Sequence, residues 1–275
     1  AGIINIVLKE NKFAGLNGNV NTGGDSQGGT NLSGQVNYRT TAFNSYINLG
    51  MNDRKRISDG TSIRTMQFPG FKNTLDKTSD SKSGGPNLFV KTGFEYFIDP
   101  TQSLGVSTTI SNGNRNNENK TYTLDNGPGD KKYWRYTNGD GDRNGYDVNL
   151  NYDKKFTNPK QKLTSYLRFS DGLNDGLNEY YNNDDGGANY VYDDRAKNGQ
   201  DGTSKSYNFK LDYAHPFEND SKLEFGLNSK STDRGDKQIA ELFDETTKQY
   251  IADRAFSNEF EYNETVHAAY IQYGG

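Results

Sequence analysis

Residues 144–169 (NGYDVNLNYDKKFTNPKQKLTSYLRF) alternate between apolar and polar side chains. Tyr146, Val148, Leu150 and Tyr152 fall on one phase, and Asp147, Asn149, Asn151 and Asp153 on the other. A period of two over this length predicts a β-strand with one apolar and one polar face. A short break at Thr157, Asn158, Pro159 and Lys160 leads into a second run, with Leu163, Leu167 and Phe169 on its apolar side. The stretch therefore predicts a β-hairpin closed by a tight polar turn. The unit recurs at residues 206–228 (SYNFKLDYAHPFENDSKLEFGLN). Tyr207, Phe209, Leu211, Tyr213, Phe217 and Leu223 stand there for Tyr146, Val148, Leu150, Tyr152, Phe156 and Leu163, while Lys210 and Asp212 take the polar phase.

The rest of the chain varies this theme. Residues 1–9 form a compact apolar strand, and 12–22 alternate more weakly through Leu16 and Val20. Residues 30–39 set Leu32, Gly34, Val36 and Tyr38 against Asn31, Ser33, Gln35 and Asn37. Residues 43–52 set Ile47, Leu49 and Met51 against Tyr46, Asn48 and Gly50. Further strands carry Leu88, Val90, Phe94 and Tyr96, then Leu104, Val106 and Ile110, and the last covers 262–273. Four polar regions, 53–86, 112–143, 174–205 and 232–261, show no sustained period and are expected to be loops. Connections then alternate between turns near Thr40, Asp99, Asn158 and Asn219 and loops of about 30 residues, lengths that count against a soluble domain. They match a transmembrane barrel with tight periplasmic turns and long extracellular loops.

Composition changes the picture in one respect. The chain is 31% hydrophobic with a mean hydropathy of −1.02, values that alone suggest disorder. It also carries 19 Tyr and 15 Phe, and its apolar residues are spaced at a strand period. A wall that is wet on one side gives such averages. No run is long and apolar enough for a transmembrane helix. The chain opens at Ala1 directly in a strand-like run, without a signal peptide, and is expected to start mid-protein or after processing. Cysteine is absent, which removes disulfides, zinc–cysteine sites and a thiol nucleophile. A net charge of −4 provides no basic face for nucleic acid. His215 and His267 lie far apart and read as rim or structural residues.

The opening AGIINIVLK resembles the last plug-domain strand of TonB-dependent outer-membrane receptors. The hairpins GYDVNLNYDKKF and SYNFKLDYAHPF and the terminal YNETVHAAYIQY resemble the outer-membrane β-barrel family of Bacteroidota-type receptors. The resemblance covers essentially the whole chain. It implies residues 1–9 as the end of a plug and 10–275 as the N-terminal part of an antiparallel up-and-down barrel in the bacterial outer membrane. It also implies import of a nutrient or chelate powered by TonB, in some relatives with a surface lipoprotein. The chain lacks a TonB-contacting segment and has almost no plug. About ten strands are counted, where such transporters close at about 22. An open sheet leaves unpaired backbone edges that lipid does not tolerate. The rest of the same barrel, or another protein such as the barrel-assembly machinery, is expected to pair them.

On this reading Tyr146, Val148, Leu150, Tyr152, Tyr207, Phe209, Leu211 and Tyr213 face lipid. Asp147, Asn149, Asn151, Lys210 and Asp212 face a wet lumen. Phe156 and Phe217 are expected at the periplasmic girdle, because six residues from Tyr146 to Tyr152 span only about 20 Å. Tyr133, Trp134 and Tyr136, beside Lys131, Lys132 and Arg135, are candidate ligand contacts on a loop. Asp140, Asp142 and Asn144 match the first half of a calcium loop, but Asn151 stands where its last ligand, a glutamate, belongs. Asp184, Asp185, Asp193 and Asp194 read as a solvated acidic loop. No cofactor other than such a calcium ion is expected. No nucleophile–base pair, phosphate-cradling motif or positioned acid pair is present, so no enzyme is expected. Three functions are weighed: a receptor-transporter, a non-transporting barrel that docks partners or is an assembly substrate, and a soluble all-β adhesin.

Overall fold

The computed structural model describes residues 15–127, 129–184, 194–218 and 221–274. They form one antiparallel sheet. Its strands are β1 (Gly15–Gly24), β2 (Thr30–Arg39), β3 (Phe43–Phe68), β4 (Phe71–Asp99), β5 (Gln102–Asp125), β6 (Lys131–Lys155), β7 (Lys162–Asn183), β8 (Asp194–Pro216), β9 (Lys222–Asp244), β10 (Gln249–Ala252) and β11 (Asn258–Gly274). Each strand pairs with the next in sequence as far as β9. The far side of β9 is shared, with β10 covering Glu241–Asp244 and β11 covering Lys222–Gln238. The fold is all-β and up-and-down, and the sheet does not close on itself among the described residues. The plug expectation for residues 1–9 lies outside those residues.

The sheet has no second layer. Among the described residues no apolar side chain is buried. In water, folding of a chain this long is driven by removing apolar surface into a core. Here most of the large apolar side chains instead line one face and stay open, most of all at the sheet's edges, where Val20 is 75% and Ile271 76% exposed. Backbone hydrogen bonds hold the sheet together, and the solvent for the apolar face must come from elsewhere.

Register makes the two faces continuous, since directly paired residues of neighbouring strands share a face. One apolar row runs Val36, Ile47, Thr92, Thr108, Val148, Phe169 and Tyr207. The next begins Leu49, Val90, Ile110 and Tyr146, then turns polar through Asp171, Lys205 and Asp233. At the other border, Leu163, Tyr213, Phe225 and Ile271 form a row that meets Lys154 on β6. The apolar band thus drifts across the pairing rows from β4 to β11. That drift is what a stagger of tilted strands in a barrel wall produces.

The short connections at Thr40, Asp99 and Asn158 lie where the sequence places them, closed by their polar residues; the one expected at Asn219 lies outside the described residues. Thr40 Oγ1 accepts from the Ala42 and Phe43 amides. Asp99 accepts from the Thr101 amide at 2.7 Å, its hydroxyl at 2.6 Å and Gln102 Nε2 at 2.6 Å. Asn158 Oδ1 accepts from the Lys160 amide.

The four polar regions expected as loops are mostly strand, which corrects the sequence reading. β3 and β4 pair without a break from Phe43↔Tyr96 to Phe68↔Phe71, and the Phe68 and Phe71 rings stack at 4.8 Å beside Gly70, whose φ of +92° completes the turn. β5 and β6 pair from Gln102↔Lys154 to Asp125↔Lys131. The alternation persists there in size rather than hydropathy. In GDGDRNG, Gly139, Gly141, Arg143 and Gly145 take one face and Asp140, Asp142 and Asn144 the other. A hydropathy period cannot register two polar faces.

Candidate functional site

The polar face is the part of the molecule with chemical content. It carries Asp147, Asn149, Asn151, Lys210 and Asp212, all on the face opposite the eight predicted apolar positions. They are tied into a network. Arg168 forms an ion pair with Asp147, which also accepts from Asn149 Nδ2. Tyr166 donates to Asn149 Oδ1 at 2.7 Å. Lys210 pairs with Asp212 at 3.1 Å, and Tyr270 donates to the same Asp212 at 2.9 Å. Lys162 pairs with Asp153 at 3.1 Å. At these positions opposite charges and amides, on one strand or on neighbouring strands, satisfy one another along the wall.

A second device keeps this face flat. Glycines on it are paired directly with planar side chains that lie over them. A Cβ on Gly50 would come 2.0 Å from the Phe89 ring, one on Gly93 2.4 Å from Tyr46, and one on Gly226 2.2 Å from Tyr270. Asparagine plays the part of the ring further along the strands. Asn87 lies over Gly113, Asn174 over Gly202 and Asn178 over Gly139, with clearances of 2.3, 2.7 and 2.4 Å. Each of these is a direct register pair. Removing the Cβ lets the neighbour fold down across the strand.

Where β5–β9 leave the apolar band, glycines floor two adjoining depressions of about 540 and 470 Å³ that share Arg143 and Asn174, with Gly145, Gly172 and Gly202 in the first and Gly139, Gly141 and Gly176 in the second. Arg234 borders the first and Arg115 the second. None of the three arginines has a hydrogen-bond or ion-pair partner among the described residues. Sequence reading missed them. Arg143 sits inside the calcium pattern as a filler position, and only its phase relative to Gly141 and Gly145 marks it as a residue of the polar face.

The other predicted sites are placed as follows. Tyr133, Trp134 and Tyr136 lie on strand β6, not on a loop, and they divide between the faces. Tyr133 shares a face with Thr123, a residue only 1% exposed. Trp134 meets Tyr122 at 4.6 Å and Tyr136 meets Tyr181 at 6.0 Å on the opposite face. Asp140, Asp142 and Asn144 are also strand residues, on one face at successive spacings of about 6.8 Å. Asp142 accepts from Asn114 at 2.9 Å and Asn144 from Asn112 at 2.5 Å. The strand separates these carboxylates, whereas a calcium loop folds them around one point. Of the acidic set, Asp185 and Asp193 lie outside the described residues.

Aromatic contacts border the apolar band. Tyr146, Phe169 and Tyr207 form a chain with centroid spacings of 5.6 and 4.8 Å. At the short-turn end Phe156 meets Tyr213 at 6.0 Å, Tyr213 meets Phe225 at 5.4 Å, and Phe217 meets His215 at 5.0 Å and Tyr273 at 6.2 Å. His215 is therefore part of an aromatic belt, its Nδ1 3.2 Å from the Tyr213 hydroxyl. Beyond the other border, Lys197 pairs with Glu179 at 2.8 Å and lies over the Tyr250 ring. The Lys197 hydrogen bond holds the Glu179 carboxyl below its ordinary range, and the same bond raises the Lys197 ammonium.

No curated protein matches the chain. Among solved structures it is similar to the ferric citrate transporter FecA in its unliganded form, at 11% identity and a TM-score of 0.33, covering 94% of this chain and 41% of that one. It is also similar to OccK8 (OprE) of Pseudomonas aeruginosa and to a BenF-like porin of Pseudomonas fluorescens Pf-5, each at 8% identity, with TM-scores of 0.12 and 0.13. Each of these two likenesses covers 94% of this chain and 96% of the other. TM-scores this low carry no weight for function. Residues 154–275 match the model of the outer membrane protein beta-barrel family. They run from the end of β6 through β11 of the same unbroken sheet, and the chain is a section of an outer-membrane β-barrel wall.

Proposed function

We propose that this wall belongs to a plugged receptor-transporter that imports a nutrient or chelate, energised by TonB. The observation that carries the reading is a single-layer sheet without a buried core and with two chemically opposite faces. An apolar band bordered by aromatic residues suits lipid, and a flattened, hydrogen-bonded polar face suits a lumen that must hold a second body closely. The eight predicted apolar positions from Tyr146 to Tyr213 face the bilayer, and Asp147, Asn149, Asn151, Lys210 and Asp212 face the lumen. The long strand extensions rise outside the cell and the short turns lie in the periplasm. The plug and TonB rest on the resemblance of AGIINIVLK to a plug-end strand. The partners are the bilayer, the rest of the barrel and, on the outside, a surface lipoprotein.

The test is capture of the TonB C-terminal domain by the full-length protein purified from outer membranes. Specific retention of the TonB domain supports energised import. No retention by the intact protein overturns it in favour of a docking subunit or assembly substrate.

A further inference from the structure

We propose that the glycine-floored depression on the polar face of β5–β9 binds oxyanions, the phosphate or carboxylate groups of a small solute. The inference rests on the reading of that face as lumenal and goes further by naming the chemistry of what the lumen holds.

Three observations converge. The first is charge without a partner. Arg115, Arg143 and Arg234 have no ion-pair partner among the described residues. Unlike Lys91 and Lys230, which are likewise unpaired on this face, they border the two adjoining depressions. The carboxylate on the same face of this basin other than Asp147 is Asp236, which accepts from Gln200 Nε2 at 3.3 Å. On this face of the basin four arginines, Arg168 among them, stand against two carboxylates, while Asp140, Asp142, Asp171 and Asp175 border it from the opposite face.

The second is shape. Gly141, Gly145, Gly172 and Gly176 project nothing into the space between the arginines, and over Gly202 lies the Asn174 amide. Arg143 and Arg234 rise from strands three spacings apart, about 14 Å, and border one depression of about 540 Å³. A bare floor between long cationic arms leaves room for a molecule rather than for a protein–protein salt bridge.

The third is neutral hydrogen bonding. Asn174 lines both depressions, and Ser111, Ser204 and Gln200 line the first. Guanidinium forks with amide and hydroxyl donors are the set that recognises phosphate and carboxylate oxygens. A neutral sugar or peptide needs no unpaired arginine.

The experiment uses the full-length barrel in detergent, titrated calorimetrically with inorganic pyrophosphate and, separately, with the tricarboxylate tricarballylate. The two arms distinguish phosphate from carboxylate chemistry. Binding of at least one probe is expected, at least tenfold weaker in the double variant Arg143→Gln/Arg234→Gln and unchanged in Arg64→Gln, which alters a cation near the tip of β3. Absence of binding by either probe, or affinity that the double variant leaves intact, overturns the inference. A second measurement separates this from failure of the lumenal reading. Thr108→Cys and Thr109→Cys place a thiol on the apolar and the polar face of β5. Water-soluble maleimide should label the Thr109→Cys variant and a lipid-phase reagent the Thr108→Cys variant. Reversed labelling overturns the lumenal reading and the site with it. Labelling as expected without anion discrimination overturns the site alone.

Discussion

The Tyr270 ring lies across Gly226 of the neighbouring strand, where a Cβ would stand 2.2 Å from its Cε1, and its hydroxyl donates to Asp212 at 2.9 Å. Gly226→Ala therefore forces the ring off the wall and separates it from Asp212. We expect destabilisation of about 1–3 kcal/mol, the usual cost of overpacking. Adding Tyr270→Ala should remove most of the penalty that Gly226→Ala imposes by itself. Urea midpoints for the whole barrel folded into vesicles measure both. An unchanged midpoint in Gly226→Ala would show that the ring is free to lie elsewhere.

Leu150 and Asn151 are adjacent in sequence and face opposite ways. Leu150→Arg puts a charge against lipid and should cost about 2–4 kcal/mol if the position is near the midplane. Asn151→Arg points into the wet face and should stay within about 0.5 kcal/mol. The same vesicle titration compares them. Equal penalties would mean that the two faces do not meet different solvents.

The ion pair of Glu179 and Lys197 lies beyond the apolar band and should respond to pH. The lowered carboxyl of Glu179 contributes stability above its ordinary value of 4.5, and that contribution is lost as pH falls through the folded value. The raised ammonium of Lys197 contributes below 10.5 and loses its contribution as pH rises past the folded value. Between these limits the pair is intact. Its side chains are 24% and 26% exposed, so its worth is about 0.5 kcal/mol. Hydrogen exchange of β7 and β8 amides around Glu179 should lose protection at pH 3 relative to pH 7, and Glu179→Gln should abolish the difference. An equal pH response in that variant would place the cause elsewhere.

Much of the wall is legible in the residues themselves. The start and end of β2 and the start of β3 follow from alternation alone, as do the turns at Thr40, Asp99 and Asn158. The apolar set from Tyr146 to Tyr213 shares one face because strand geometry leaves no other choice. What escaped was that the described parts of 53–86, 112–143, 174–205 and 232–261 are mostly strand. Hydropathy alternates only while one face meets something apolar. Above that level both faces are wet, and the signal survives only as large against small, Asn against Gly. The arginine basin was hidden for the same reason. Arg143 belongs with Arg234 only through a register that crosses three strand pairs, and the span between them in sequence contains no hint of it.

The strand extensions have a mechanical consequence. A cross-strand ladder running from the band at Tyr146 to beyond Tyr136, about 33 Å, cannot shorten or hinge without breaking several backbone hydrogen bonds together. These extensions are consequently a stiff palisade, not a set of swinging flaps. If the wall encloses a lumen as proposed, whatever moves when a solute arrives has to be something other than these strands.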